Sequence, residues 1–209
     1  AGAFGELATG VGNTDAAFVF GTGKTWLRVP PTMKFAFHGE IPPYLTAKDL
    51  ILAVIGDIGF DGATYQAMYF TGSGISSLSL EDRMTLTNMA IEAGGKNGIC
   101  DVDEKTLAYV KARSNRPDWT VYTEDEGAEY VYEKAWDLGV FEPLVAAPHS
   151  PDNTRLARQC EDVKLDRAYV GSCTGGKITD MIFAAAILAG ESVRIPTFVV
   201  PGSTEVHAD

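Results

Sequence analysis

Apolar and polar positions change period several times along this chain, and each change marks an element. Met33, Phe35 and Phe37 recur at period two, the pattern of a strand with one buried face, and the run stops at Gly39 and Pro42-Pro43. Leu50, Ile51, Val54, Ile55 and Ile58 recur at three and four, so 46–58 is expected to be a helix packed on a sheet, opened by the capping pair Thr46 and Asp49. Residues 63–71 read as a second strand, closed by Gly72-Ser73-Gly74. Ser79 then caps a helix expected to run to about Ala93, before Gly94-Gly95. A short strand over 97–100, a helix over 103–113, an exposed acidic loop over 124–129 and an alternating stretch over 130–138 follow. Strand and helix alternate, which predicts an α/β fold.

Two proline clusters divide the chain. Pro30-Pro31 ends a small, apolar, Gly-rich opening segment, and Pro143, Pro148 and Pro151 mark a linker around 146–151. Three parts are therefore expected: 1–29, 30–146 and 147–209. The last is the most sharply patterned, with a strand over 167–170, a tight turn at 171–176, a helix from Lys177 to about Ala189 and a strand over 193–200. In such a βαβ unit ligands sit beyond the carboxyl ends of the strands, at the first turn, and Cys173 lies in that turn.

Composition narrows the function classes. With 17 Lys+Arg against 28 Asp+Glu in 209 residues the formal charge is −11, a field that repels phosphate backbones and anionic membranes. No nucleic-acid partner is expected. No apolar run approaches the ~18 residues a membrane span needs, so no membrane is expected either. Cys100, Cys160 and Cys173 are too few and too scattered for a disulfide framework, which points to a reducing, cytoplasmic setting.

Two glycine-rich runs fail as nucleotide motifs. Gly21-Thr-Gly-Lys-Thr25 ends like a phosphate-binding loop, but Phe18 stands where its first glycine belongs and Pro30-Pro31 bars the helix that must follow. Gly10-Val-Gly12 lacks a third glycine, Asp15 standing there.

Three residues remain as chemistry. At a helix start, a Cys173 thiolate is stabilised by free N–H groups, which suits a nucleophile or a metal ligand; the position equally suits a small buried apolar side chain. His38, His149 and His207 offer no evident base for a nucleophile. Asn88 and Glu92, four apart, are expected to share one helix face. By pattern alone Glu92 is a solvated residue at a helix end, where its charge opposes the dipole.

The run 169–180, Tyr-Val-Gly-Ser-Cys-Thr-Gly-Gly-Lys-Ile-Thr-Asp, together with Gly5-Glu-Leu-Ala-Thr-Gly-Val-Gly12 and Asn88-Met-Ala-Ile-Glu-Ala-Gly94, resembles the aconitase family, most closely the large subunits of its two-subunit dehydratases. The likeness runs end to end. It implies three-layer α/β/α units with mixed or parallel sheets, covering the tail of a first domain, a whole second and the beginning of a third.

It also implies a hydro-lyase, acting in leucine biosynthesis with a small subunit as partner, that moves a hydroxyl between adjacent carbons of a di- or tricarboxylic acid. Relatives acting on homoaconitate, dimethylmalate or citraconate are alternatives. Such enzymes hold a [4Fe–4S] cluster on three cysteines. The resemblance makes Cys173 the first ligand, sets Ser172 beside it as a substrate-binding residue, and turns Asn88 and Glu92 toward cluster and substrate as catalytic residues. It departs at Gly175-Gly176-Lys177, where the family often has Asn, then Arg or Ser two residues on. An Asp-Ser-His segment before Ala1 and paired cysteines after Asp209 are implied too, so the sequence reads as the middle of a longer chain, expected to be inactive and without an intact cluster by itself. A non-enzymatic α/β module holding a small anion at the Gly171–Gly176 turn is the reading from the other function class.

Overall fold

A computed structural model describes residues 2–116 and 118–208; Ala1 and Asp209, the chain ends named above, lie outside them. In chain order the main elements are α1 (Asn13–Thr22), β1 (Thr32–His38), α2 (Ala47–Ile58), β2 (Ala67–Thr71), α3 (Ser73–Ser77), α4 (Leu80–Asn88), β3 (Asn97–Cys100), α5 (Glu104–Arg113) and β4 (Tyr132–Asp137). They continue as β5 (Leu144–Ala146), β6 (Thr154–Leu156), β7 (Ala168–Val170), α6 (Ser172–Gly175), α7 (Ile178–Leu188) and β8 (Thr197–Val199).

Four strands form one sheet in the order β3-β2-β1-β4, every pairing parallel. The period-two residues of β1 do what the pattern predicts: Met33, Phe35 and Phe37 are buried against Met68 and Phe70 of β2. α2 lies on this face, with Leu50, Ile51, Val54 and Ile55 fully buried, and Ile75 of α3, Leu78 just after it and Leu86 of α4 join the same core. Parallel strands need such crossovers, which is why the apolar stripes of the helices and the inward faces of the strands meet here. On the opposite face the acidic stretch is not merely a solvated loop: Glu124 pairs with Lys34 at 2.6 Å, and Tyr69 donates to Asp101 at 2.6 Å.

The caps behave as local chemistry dictates. The Thr46 N–H donates to Asp49 Oδ2 at 2.9 Å, and the Asp82 N–H donates to Ser79 Oγ at 3.1 Å. Asp103 accepts from the Thr106 N–H at 3.0 Å at the start of α5 and also holds Arg83, 1% exposed, at 2.5 Å.

Three expectations change. β2 begins at Ala67 rather than 63, because the Ala63 N–H is drawn to Ala93 O and the Gln66 N–H to Ala63 O in a turn. The segment around 146–151 is no open linker: β5 and β6 pair antiparallel across it, and Asp49 Oδ1 accepts the Leu144 N–H at 2.8 Å, tying this hairpin to α2. The opening segment contains α1, to which the pattern assigned no element. Lys24 and Thr25 follow its carboxyl end, the opposite of where a phosphate-binding loop would stand.

The βαβ unit is present, with β7 and β8 parallel in the register Ala168↔Thr197 to Val170↔Val199. Its faces are open: no residue of α7 is buried, and Ile182, Ile187, Tyr169 and Phe198 are exposed. Among the described residues no helix is long and apolar enough to cross a membrane.

Candidate functional site

The turn after β7 is built by close backbone approach. A Cβ on Gly171 would stand 2.7 Å from Val200 O, and one on Gly176 would stand 2.6 Å from Ser172 O and 2.9 Å from Gly202 N. Only glycine fits at either position. Between them the tight turn expected winds into the single helical turn of α6. Ser172 enters it at φ 85°, and its Oγ accepts the Thr174 N–H at 3.2 Å and the Gly175 N–H at 3.1 Å. That hydroxyl serves the turn, satisfying two amides that begin a helix.

This turn lies against the end of α4. Cys173, exposed, has its Sγ 3.8 Å from Asn88 Oδ1, while Thr174 Oγ1 donates to the same oxygen at 2.8 Å. Thr85, one turn earlier on α4, donates from Oγ1 to Thr174 O at 3.5 Å. Asn88 Oδ1 is thus occupied from the cysteine side, and the amide nitrogen takes no part in these contacts. Thr85 and Thr174, both buried, are site residues that the pattern of the sequence did not single out. Thr174 lies in the quoted run without a role assigned to it, Thr85 in no motif, and the packing of α6 on α4 reveals both.

Glu92 requires a correction. α4 ends at Asn88, and Met89–Ala93 continues as a 3-10 turn, closed by Gly94 N–H to Ile91 O at 2.9 Å. Four residues of 3-10 helix advance about 120° instead of the ~40° of an α-helix, so Asn88 and Glu92 do not share a face through simple i, i+4 spacing. Nor is Glu92 the solvated helix end that its position suggested, for its Oε2 is buried without a hydrogen-bond partner. Asn97 has the same character: it is 4% exposed, neither amide atom is partnered, and with Ala8, Gly10, Thr87, Asn88 and Ile91 it lines a cavity of about 240 Å³.

Cys100 is 2% exposed, and burial above all pushes its thiol up to about 12, so it stays protonated at neutral pH. All three cysteines are free, and among the described residues no group of three or more His, Cys, Asp or Glu is placed to hold a metal. The donor set around Cys173 therefore fits one ligand position. By itself it does not fit a group that needs three thiolates.

Comparison with known proteins fixes the lineage. The chain matches the aconitase family (aconitate hydratase) over residues 1–159 and 154–209. It belongs to the aconitase family. Among relatives it is 56% identical, over all of its length, to the chloroplastic 3-isopropylmalate dehydratase large subunit of Arabidopsis thaliana, of which it covers 41%. It is 49% identical to the 3-isopropylmalate dehydratase large subunit of Aquifex aeolicus, and 50% identical to large subunit 1 of Pyrococcus abyssi. In both comparisons 99% of this chain aligns with 49% of the relative, so the chain spans about half the length of the curated relatives it matches. In this member of the aconitase family, the turn that holds Cys173 and the α4 end that holds Asn88 meet at 3.8 Å.

Proposed function

We propose that this chain is part of the large subunit of a hydro-lyase of the 3-isopropylmalate dehydratase kind, acting in leucine biosynthesis with a small subunit as partner. The observation that carries this reading is the approach of Cys173 Sγ to Asn88 Oδ1 at 3.8 Å, in a chain whose relatives bear that name. Cys173 would supply one ligand of a [4Fe–4S] cluster, the others coming from polypeptide outside this chain. When bound, such a cluster acts as a Lewis acid toward a hydroxyl and a carboxylate of the substrate.

The chain's own residues have separate tasks. Ser172 holds the turn through two amides; with its oxygen engaged there, any contact it makes to substrate is secondary. Asn88, its Oδ1 fixed by Thr174, presents its N–H₂ group as a donor that orients a substrate oxygen. Glu92 has a buried carboxylate oxygen that lacks a donor, the condition of a group suited to take up or deliver a proton when water leaves. The substrate is a small hydroxy di- or tricarboxylic acid, and the compartment a reducing one such as the cytoplasm. Neither nucleic acid nor membrane enters the reading.

The test is Cys173→Ser in the full-length two-subunit enzyme, reconstituted anaerobically beside Cys160→Ser. Cys173→Ser should lose one iron or more, the broad visible absorbance and turnover of 3-isopropylmalate; Cys160→Ser should keep all three. A Cys173→Ser enzyme with full iron and full turnover sinks the reading. Turnover of methyl-substituted malates or homoaconitate in preference to 3-isopropylmalate would move the substrate to those acids.

A further inference from the structure

α6 is four residues long and cannot hold itself: its carbonyls have no helical turn ahead of them to supply N–H donors. The pair Gly175-Gly176 adds no side chain that could pin it. Something else must fix the turn, and the donors that reach it come from either side.

Lys177 stands directly after the turn, its side chain 16% exposed. Its Nζ donates to Thr174 O and to Asp180 Oδ2, the latter at 2.8 Å, and that carboxylate also accepts the Lys177 N–H at 3.0 Å. The Thr174 carbonyl therefore receives the Lys177 ammonium from one side and the Thr85 hydroxyl, at 3.5 Å, from the other. Thr174 is also the residue whose Oγ1 fixes Asn88, and it follows Cys173 directly.

We propose that Lys177 is a positioning residue: its ammonium, oriented by Asp180, clamps the Thr174 carbonyl and so fixes Cys173 against Asn88. This rests on the site reading above, because the clamp matters to chemistry only if Cys173 and Asn88 act together. A charged donor is suited to this, since its hydrogen bond to a carbonyl is stronger than that of a neutral one.

The experiment has two arms. In the full-length two-subunit enzyme, amide hydrogen exchange is followed at Thr174 and Gly175 by mass spectrometry in wild type, Lys177→Met and Lys177→Arg. Lys177→Met should exchange about tenfold faster at these amides while the sheet keeps its protection, and Lys177→Arg should return to within about threefold of wild type. If Lys177→Met is not folded, Lys177→Gln, which keeps a neutral donor, takes its place with the same expectation. In the full-length enzyme Lys177→Met should lower kcat about tenfold with KM within about twofold.

Equal exchange in Lys177→Met and wild type overturns the proposal, as does faster exchange without a change in kcat. Failure of Cys173→Ser to lose iron and turnover overturns the functional reading instead, and leaves the exchange arm to decide the clamp.

Discussion

Thr174 Oγ1 donates to Asn88 Oδ1 at 2.8 Å across 86 positions of the chain, and in doing so it sets which end of the Asn88 amide is left for other partners. A donor hydroxyl fixes the amide oxygen toward itself; without it the amide is free to turn over. Thr174→Val keeps shape and removes the donor, so it should cost about 1 kcal/mol, a few degrees of melting temperature, and lower kcat in the full-length enzyme. Thr174→Ser should restore both. Thermal melts and steady-state kinetics of the pair decide it, and equal behaviour of Val and Ser would remove the orienting role.

Glu92 and Asn88 should separate by kind of effect. Glu92→Gln keeps shape and removes the proposed proton carrier, so the full-length enzyme should retain iron and fold and lose at least ~10²-fold in kcat. Asn88→Ala should cost less, because it removes a positioning donor. Near-normal kcat in Glu92→Gln with iron intact would assign its buried carboxylate a structural task only.

The Ser172 backbone supplies a prediction of sign. At φ 85° a residue with a Cβ is strained, while its Oγ repays two amides. Ser172→Ala loses the hydroxyl and keeps the strain; Ser172→Gly loses the hydroxyl and relieves it. Glycine should therefore be the more stable of the two by about 1 kcal/mol, the reverse of their usual order next to a helix. Denaturant midpoints of the two variants measure the difference.

Arg83 and Asp103 form the ion pair on which α5 docks, with the arginine 1% exposed. Burial alone would raise the Asp103 carboxyl, but the hydrogen bonds from Arg83 and the Thr106 N–H and the charge of Arg83 outweigh it and hold it at about 2. Because the folded value lies below the ordinary 3.8, the pair stabilises fully above that value and loses its contribution as pH falls toward about 2. Asp103→Asn keeps a capping side chain but strands the guanidinium. It should cost about 2–3 kcal/mol at pH 7, less than the ~3–5 kcal/mol of a fully buried pair because the Asp103 side chain is 30% exposed. Denaturant titrations from pH 5 to pH 2 should show wild type and Asp103→Asn converging at the acid end.

Much of the central sheet was legible because its signals are local. The period of Met33, Phe35 and Phe37, the stripe of α2 and the caps Thr46 and Ser79 each act within a few residues of themselves. α1 was not legible, since it buries none of its residues and so carries no apolar period. The β5–β6 hairpin was hidden by prolines that flank strands of three residues. The change to 3-10 winding after Asn88 follows from the way Gly94 and Gly95 draw their N–H bonds back to Ile91 and Ala90. Nothing in spacing places Cys173 beside Asn88; that contact joins elements far apart in sequence, and only family resemblance anticipated it.

The 85 positions between Asn88 and Cys173 also order events in time. At ribosomal speeds of about 5–20 residues per second, Asn88 is made roughly 4–17 s before the cysteine. All four strands of the parallel sheet precede Cys173, so α4 and its polar end can be in place when the thiol emerges. The cysteine turn then meets a finished surface, and a nascent chain halted after β4 but before residue 173 carries the receiving half of the site with no Cys173 sulfur to fill it.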